Sequence, residues 1–330
     1  MAPLPFTTVA DIAMRQWALF TTQQAISAGL TEQQLWWNSR PGGPFERVRR
    51  SVYRIRDFAP PPLQELGAAL LARGPDAVAC GLSASWAHGF DGVNPGRIEM
   101  IINSKGSNIR GGVHRRLLDP YQIVPLGPFL MTDALTTLLD IAAQLNDIRW
   151  EWAMEYCLRK ELFTLEALVA GVANRSTLRR PGAARARRVL ALRPPNTRPT
   201  GSQLETEFLQ LIRPVREIPE PERQYPVVRS GAIAARLDFA YTEVHAYTEV
   251  HGGQHRESLR YDTYRETMVA ATLGWLESEV TAGDIRNTPT PTIRRMIEFI
   301  ATAARRLPAA EPAEPAEPAE PAEPAEPADR

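Results

Sequence analysis

Apolar and polar positions in the last third of the chain follow two different periods, which predict strands flanked by helices. TGSQLETEFLQLI has helical spacing, with Thr200 or Ser202 as its cap. ERQYPVV, AIAARLDFAY, AYTEVH and the weaker LESEVT are typical of strands. YDTYRETMVAATLGW and TPTIRRMIEFIATAARRL again have helical patterns. Because the order is helix, three strands, helix, strand and helix, residues 198–308 are predicted to form one mixed α/β domain.

Residues 8–57 are predicted to form two short helices and a basic hairpin. TTQQAISAGL ends at Gly29, and Thr31 with Gln34 resembles a capping box that starts a second helix. A PGG turn then precedes FERVRRSVYRI, in which apolar residues lie among arginines. This order is typical of a winged helix-turn-helix, whose second helix enters the DNA major groove while the wing contacts phosphates; the alternative is a helical cap with solvated arginines. The predicted DNA-contacting residues are Gln33, Arg47, Arg49 and Arg50.

Residues 58–195 have the mixed pattern of an α/β region. PLQELGAALLARG and SASWAHGF predict helices, RIEMIIN and GGVHRRL predict strands, and a helical run follows from TTLLDIAAQL to TLEALVAGVA. The Arg- and Pro-rich stretch after this run ends in PPNTRP, the best candidate for a linker. Residues 309–330 repeat Ala-Glu-Pro, which cannot bury apolar surface and predicts an extended, disordered acidic tail. The expected fold class is therefore α/β (α+β).

Composition limits the class of protein without assigning a function. The chain has 330 residues, enough for two or three domains, and 44% of them are hydrophobic. No apolar run reaches the ~20 residues that cross a bilayer, no secretory signal is present, and Cys80 and Cys157 form no CxxC motif. We therefore expect a reduced, cytoplasmic protein with no membrane partner.

The net charge of zero conceals a basic body. The chain has 38 basic and 38 acidic side chains; removing the one arginine and seven acidic residues after position 310 leaves 37 and 31. Nearly all the basic residues are arginines, which bind phosphate through a bidentate fork. An Arg-rich body is compatible with nucleic acid, although heavy use of Arg and Ala can equally reflect genome composition.

Three of the five histidines fall in YTEVHAYTEVHGGQH, close behind a carboxylate at Asp238. Residues two apart on a strand share a face, so Glu249 and His251 are expected to point the same way, and the neighbouring strand can bring Asp238 beside Glu249. Two close carboxylates repel each other, and a hydrated Mg²⁺ relieves that repulsion. A neutral His251 or His255 could then transfer a proton near neutral pH.

Other interpretations of this stretch remain open. Strand-end carboxylates without a role, and histidines that are only packed or hydrogen-bonded, are the simpler alternatives. A zinc site built from three histidines is disfavoured because they lie on strand and turn without help from cysteine. Since YTEVH occurs twice and HGGQH follows only the second copy, we place the site there; Glu243 and His245 of the first copy are expected to be solvated in the turn.

Longer stretches carry a resemblance to known families. FTTQQAISAGL, FERVRRSVYRI, CGLSASWAHGFDGV and MTDALTTLLDIAAQL resemble actinobacterial proteins with an AbiEi-like region, the antitoxin of a type IV toxin–antitoxin pair. RPTGSQLETEFLQLI, RLDFAY, TEVHGGQH and YDTYRETMVAATLGW resemble the very-short-patch-repair-like endonuclease domain that is often fused behind it. Together they cover about residues 10–305. The resemblance implies a winged helix-turn-helix, an AbiEi-like region and a restriction-endonuclease-like fold with a PD-(D/E)xK-type site.

The resemblance also implies roles for individual residues. Glu205 matches the acid on the helix, Asp238 the acid that ends a strand, and Glu249 the acid on the next strand, with Asp238 and Glu249 as ligands of Mg²⁺. His251 stands where most relatives have Asp, although the repair endonucleases that the domain resembles also place a His before this glycine; His255 matches the histidine after the glycine turn. These five residues are the catalytic candidates.

One further departure leaves more than one function open. Glu279 stands where relatives carry an Arg, and an acidic residue near phosphate repels the substrate. The first hypothesis is a DNA-binding protein with a Mg²⁺-dependent endonuclease domain. The alternative is an AbiEi-type antitoxin or transcriptional regulator whose nuclease-fold domain is degenerate, with a cognate toxin as a further partner. A third, a scaffold that uses the acidic tail, has only the tail in its favour.

Overall fold

The computed structural model describes residues 5–94, 96–102, 104–105, 111–177, 179–252 and 273–307. These residues form a mixed α+β structure with three separate β-sheets. No helix within those ranges has the length and apolar character needed to cross a membrane. The predicted Ala-Glu-Pro tail lies outside the described residues.

The first sheet belongs to a small N-terminal unit of helices and short antiparallel strands. Its helices are Pro5–Arg15 (α1), Thr22–Ser27 (α2) and Glu32–Asn38 (α3), and its strands are Leu19–Thr21 (β1), Phe45–Arg49 (β2) and Val52–Ile55 (β3). The strand order is β1-β3-β2. The capping box predicted at Thr31 and Gln34 is present: Gln34 N donates to Thr31 Oγ1 at 3.1 Å and Thr31 N to Gln34 Oε1 at 2.9 Å.

Two elements of this unit were not expected. Helix α1 begins before residue 8 and supplies Val9 and Ala13 to the core, and β1 adds a third strand that buries Phe20. Phe20 packs edge-on against Phe45 of β2, with ring centroids 4.9 Å apart. The three-residue strand was too short to show a period in the sequence.

A five-stranded mixed sheet organises the middle of the chain. Its strands are Ala77–Ala79 (β4), Met100–Ile102 (β5), Val113–Arg115 (β6), Ile123–Leu126 (β7) and Phe129–Thr132 (β8), in the order β6-β5-β4-β8-β7. The helices are Gln64–Arg73 (α4), Gly81–Ala87 (α5), Ala134–Ile141 (α6), Asp147–Arg159 (α7), Leu165–Thr177 (α8) and Ala183–Leu190 (α9). The two strands predicted in this region are present as β5 and β6, whereas β4, β7 and β8 were not predicted.

Helix α9 falls in the Arg- and Pro-rich stretch that the sequence did not predict as helical. Its buried positions, Ala183, Ala186 and Val189, recur every three residues, and its arginines point outward. Arg185 and Arg188 both bind Asp147 at the start of α7. Small apolar residues among arginines give a weak hydrophobic signal, which explains why the helix was missed.

The third sheet lies in the C-terminal part of the chain. Its strands are Glu222–Arg229 (β9), Ala232–Tyr241 (β10), Ala246–His251 (β11) and Leu276–Thr281 (β12), and its helices are Gln203–Ile212 (α10), Ala282–Asn287 (α11) and Pro289–Arg306 (α12). The sheet order is β12-β11-β10-β9; β12 runs parallel to β11, and the other pairs are antiparallel. All four predicted strands and the first and last predicted helices are present. Most of YDTYRETMVAATLGW lies outside the described residues.

A buried core joins one face of this sheet to α10 and α12. Phe208 and Ile212 of α10 meet Phe239 of β10, Val280 of β12 and Met296 of α12. Ser202 caps α10 by accepting a hydrogen bond from Glu205 N at 3.1 Å, as one of the two predicted caps. The packing fixes the start of α10 beside the ends of β9 and β10, where the candidate acidic residues lie.

Candidate functional site

Asp238 and Glu249, the two predicted metal ligands, lie on neighbouring antiparallel strands, each one position beyond the last backbone pair. The last backbone pair of β10 and β11 joins Phe239 to Thr248, so the next position places Asp238 opposite Glu249. Side chains directly opposite each other in an antiparallel pair lie on the same face. Continuing the register by one residue would therefore bring the two carboxylates to the same face, as strand alternation predicts.

The strands separate at this point, and the side chain of Asp238 fills the gap. Asp238 Oδ2 accepts a hydrogen bond from the backbone N–H of Val250 at 2.9 Å. The carboxylate thus replaces the backbone carbonyl that would continue the ladder. Since a hydrogen bond to an ionised group is stronger than a neutral one, this bond holds Asp238 in place between β10 and β11.

Gln224 on β9 connects Asp238 to Glu205. Its Nε2 donates to Glu205 Oε2 at 2.8 Å and to Asp238 Oδ1 at 3.2 Å, so one amide group draws both carboxylates together. Gln224 has a φ of +50°, in the left-handed region, which costs about 1 kcal/mol for a residue with a side chain. Strain of this kind is concentrated at functional sites in proteins.

Glu205 is the third acid of the group and is almost fully buried. Its Oε2 also accepts from Gly201 N at 2.5 Å. A side chain at position 201 has no room: a Cβ there would lie 2.7 Å from Gln224 Nε2 and 2.8 Å from Glu205 Oε1. Burial, and then the negative charge of Asp238, raise the pKa of Glu205 to about 7. Glu205 is therefore suited to hold a proton near neutral pH.

The free energy of unfolding of the metal-free protein is expected to depend on pH because Glu205 binds this proton. In the unfolded chain the pKa of Glu205 returns to its ordinary value of 4.5, so between pH 4.5 and 7 only the folded protein keeps the proton. The contribution of Glu205 to the free energy of unfolding therefore falls as pH rises through this window, by on the order of 2–3 kcal/mol. Chemical denaturation of wild type and Glu205→Gln at several pH values measures it.

The Gln variant cannot ionise and serves as the control for that experiment. Its unfolding free energy should fall less steeply than that of the wild type between pH 4.5 and 7, because Glu205 no longer contributes. Identical pH profiles for the two proteins would show that Glu205 ionises normally in the fold.

Glu249 and His251 lie on β11 beside the strand that carries Glu279. Glu249 is 8% exposed, and its partner in the parallel register of β12 is Glu279. His251 Nε2 lies 3.9 Å from Glu279 Oε1. The acidic departure noted in the sequence therefore stands next to the candidate site. His255, the fifth catalytic candidate, lies outside the described residues.

The donor atoms suit a hard cation that keeps much of its own water. Within the described ranges, no three His, Cys, Asp or Glu side chains are gathered into a metal-binding group. Asp238 and Glu249 instead offer carboxylate oxygens from two strands, and the Gln224 amide already places a donor between Asp238 and Glu205. Mg²⁺ binds through one or two carboxylates with water and phosphate as its other ligands, so the residues fit it.

Helix α7 of the middle region fastens the two segments that carry Gly201 and Gln224. Glu155 on this helix binds Arg193, pairs with Arg223 at 3.2 Å and accepts from Thr200 N at 3.2 Å. Thr200 precedes Gly201 and Arg223 precedes Gln224 in the chain. The predicted linker PPNTRP is thus held against α7. The buried Glu155 fixes the positions of Thr200 and Arg223, the neighbours of Gly201 and Gln224.

A second candidate surface lies on the N-terminal unit. Gln33, Arg47 and Arg50 are exposed, whereas Arg49 is half-buried and pairs with Glu65 at 3.3 Å. Arg54 on β3 and Arg56, just after β3, both form ion pairs with Glu46. Of the four predicted DNA contacts, three therefore present their side chains to solvent.

Sequence reasoning missed an aromatic cluster on the same unit. Trp36 and Trp37 of α3 are 54% and 53% exposed, and the guanidinium carbon of Arg40 lies 4.5 Å from the centroid of each ring. Consecutive residues on a helix point in different directions, so a WW pair on a short amphipathic helix was itself a sign that one ring would be exposed. Gln224, by contrast, had no sequence signal, because its role depends on one unusual backbone angle.

Comparison with known proteins adds no family to these observations. No protein-family model matches the sequence, and no curated protein is significantly similar to it.

Proposed function

We propose that the chain is a DNA-binding protein whose C-terminal domain is a Mg²⁺-dependent endonuclease that hydrolyses DNA phosphodiesters. The observation that carries this proposal is that Gln224 links the carboxylates of Asp238 and Glu205 where the β10–β11 ladder ends, with Glu249 at the next position of β11. Buried acids that approach one another cost free energy, and their arrangement around a strained residue is typical of a functional site.

The order of elements supports the same proposal. Helix α10 precedes the antiparallel strands β9, β10 and β11 and the parallel strand β12, a helix-then-sheet order compatible with the mixed α/β domain that the resemblance implies. Each candidate acid also stands on the element that the PD-(D/E)xK pattern implies: Glu205 on the helix, and Asp238 and Glu249 on adjacent strands.

In this proposal each residue has a limited task. Asp238 and Glu249 would hold the cation, which when bound polarises a phosphate oxygen and lowers the pKa of a ligated water. Gln224 keeps Asp238 and Glu205 oriented through its two hydrogen bonds. Glu205 can accept or release a proton near pH 7. Gly252, where a Cβ would meet no atom of the described residues within 4 Å, would permit close approach of the DNA backbone.

The N-terminal unit is proposed to deliver this domain to duplex DNA as a winged helix-turn-helix. Helices α2 and α3 supply the helix-turn-helix, and the β2–β3 hairpin is the wing. Gln33 on α3 would face the major groove, while Arg47 and Arg50 on the wing would contact phosphates. The exposed Trp36, with the Arg40 guanidinium against it, adds a flat cationic surface beside them.

Replacing Arg47 and Arg50 with Ala is expected to weaken DNA binding at low salt and to flatten its salt dependence. Each phosphate contact removed should lower the slope of log K against log[salt] by about 1. Fluorescence anisotropy with a labelled duplex, measured at several salt concentrations, gives both quantities. Arg187→Ala is the matched control, because Arg187 is an exposed arginine on α9, outside the N-terminal unit. Equal slopes of log K against log[salt] for the wild type and the double variant would show that the wing does not contact DNA.

The endonuclease proposal itself is tested with the full chain and several DNA forms. Supercoiled plasmid, linear duplex and single strands are incubated with Mg²⁺ or Mn²⁺, and nicks and breaks are resolved on gels. We expect metal-dependent cleavage of at least one form. DNA that is bound but never cut under any of these conditions would contradict the endonuclease.

One observation favours a second function. Glu279 pairs in register with Glu249, which adds negative charge where phosphate would approach. In that case the chain acts as an AbiEi-type antitoxin or regulator that binds DNA, together with a cognate toxin, and its nuclease-fold domain is inert. Salt-sensitive binding without cleavage, unchanged in an Asp238→Asn variant, is the result that distinguishes this function.

A further inference from the structure

The middle region contains a cavity that neither proposed function uses. Its volume is about 680 Å³, within the usual range for sites that bind small molecules. It opens between the five-stranded sheet and helices α6 and α8, and every residue that lines it falls between positions 80 and 181. The cavity is therefore separate from both the wing and the acidic site.

One wall of the cavity carries arginines in fixed positions. Arg116 donates two parallel hydrogen bonds, of 2.9 and 2.7 Å, to the carboxylate of Asp140. Arg175 binds the same carboxylate. Two guanidinium groups on one carboxylate leave a net positive charge, and each terminal nitrogen of Arg116 keeps a second hydrogen to donate. Arg180 is exposed at the rim, and its side chain makes no contact with another charged group among the described residues. This wall suits an anion with several oxygens, such as a phosphate.

The other wall carries a buried carboxylate without a cation. Glu99 is 7% exposed; its Oε2 accepts from Leu82 N at 2.8 Å, and Gln144 Nε2 lies 3.2 and 3.1 Å from its two oxygens. Among the residues that the structure describes, Glu99 forms no ion pair. Its Oε1, with only the Gln144 amide as a donor, can accept a hydroxyl of a ligand.

The two walls line the same cavity, and Gly81 leaves the room that the Glu99 carboxylate occupies. Cys80 lies between them: burial first, and then the charges of Asp140 and Glu99, raise the pKa of its thiol. Gly81 has a φ of +54°, and a Cβ there would lie 2.1 Å from Glu99 Oε2. The remaining surface includes the apolar side chains of Leu135 and Leu139.

We propose that this cavity binds a phosphorylated sugar, free or as part of a nucleotide. The phosphate lies against Arg116, Arg175 and Arg180, and the sugar hydroxyls donate to Glu99 at the opposite wall. Leu135 and Leu139 cover the apolar face of the sugar or of an attached base. This site does not depend on the endonuclease proposal, so a result that contradicts one proposal does not contradict the other.

Calorimetric titration of the full chain tests the site with four probes: adenosine monophosphate, ribose 5-phosphate, inorganic phosphate and adenosine. We expect the two phosphorylated sugars to bind at least about 10-fold more tightly than phosphate or adenosine alone, since only they reach both walls. Tighter binding of adenosine monophosphate than of ribose 5-phosphate indicates a nucleotide; equal binding indicates a sugar phosphate. Either supports the proposal.

Two variants make the result specific to this cavity. Arg180→Ala, at the exposed rim, and Glu99→Gln, of the same shape as Glu99, should each weaken binding by about 10-fold. Arg187→Ala, an exposed arginine away from the cavity, should bind as the wild type does. No binding of either phosphorylated sugar at millimolar concentration, binding of inorganic phosphate as tight as that of the sugars, or wild-type affinity in the Arg180→Ala protein would each overturn the proposal.

Discussion

Replacing Asp238 with Asn is expected to lower DNA cleavage by at least about 100-fold while DNA affinity stays within about 2-fold of wild type. The amide keeps the shape of the carboxylate but loses its charge and one acceptor oxygen. It therefore weakens both the binding of the cation and the hydrogen bond from Val250 N. DNA binding should survive because the proposed DNA-contacting side chains are on the N-terminal unit. Cleavage rates from plasmid nicking and affinities from anisotropy separate the two effects.

The doubled YTEVH sequence supplies a matched control for this experiment. Glu243 occupies in the first copy the position that Glu249 occupies in the second, but it is exposed on the turn between β10 and β11. Glu243→Gln should therefore cut DNA at the wild-type rate, whereas Glu249→Gln should resemble Asp238→Asn. Full cleavage activity in the Asp238→Asn protein, with its thermal unfolding unchanged, would show that DNA cleavage does not require Asp238.

A second large effect is expected on stability rather than on catalysis. Glu155→Ala should lower the free energy of unfolding by about 3–5 kcal/mol, because it leaves Arg193 buried without its carboxylate and Arg223 with only the partly exposed Glu220 as partner. The side chain of Glu155 is 1% exposed, as is that of Arg223, so water cannot replace the lost partner. Urea denaturation followed by circular dichroism measures the change.

Glu217→Ala is the control for the loss of a negative charge, since Glu217 is exposed and should change stability by no more than about 0.5 kcal/mol. A Glu155→Ala protein as stable as this control would show that the buried ion pairs do not join the middle and C-terminal parts. In a partly destabilised protein we expect cleavage to fall as well, because Thr200 and Arg223 adjoin Gly201 and Gln224.

The sequence predicted the C-terminal fold well because its strands carry a clear pattern. AIAARLDFAY and AYTEVH have apolar residues on both faces near the turn, and a short connection between them requires antiparallel pairing. That pairing alone predicted Asp238 near Glu249; β10 and β11 do pair antiparallel, and their ladder ends one position before the two acids. The cap at Ser202 followed from an equally local rule.

The rest of the site depended on geometry that no local pattern records. Gln224 reaches Glu205 and Asp238 only because its backbone is left-handed, and a strand pattern such as ERQYPVV gives no sign of that angle. Helix α9 was missed because its buried face is two alanines and a valine among arginines. Trp36 and Trp37 are both exposed, and the short pattern of α3 does not indicate that neither ring is buried. The role of His255 stays a prediction.

Calorimetric titration of Mg²⁺ into the full-length protein is the most direct test of a cation shared by Asp238 and Glu249. We predict one site in the wild type and in Glu243→Gln, and at least about 10-fold weaker binding in Asp238→Asn and Glu249→Gln. Identical isotherms for all four proteins, or no heat of binding in the wild type at millimolar Mg²⁺, would contradict the proposed metal-dependent site.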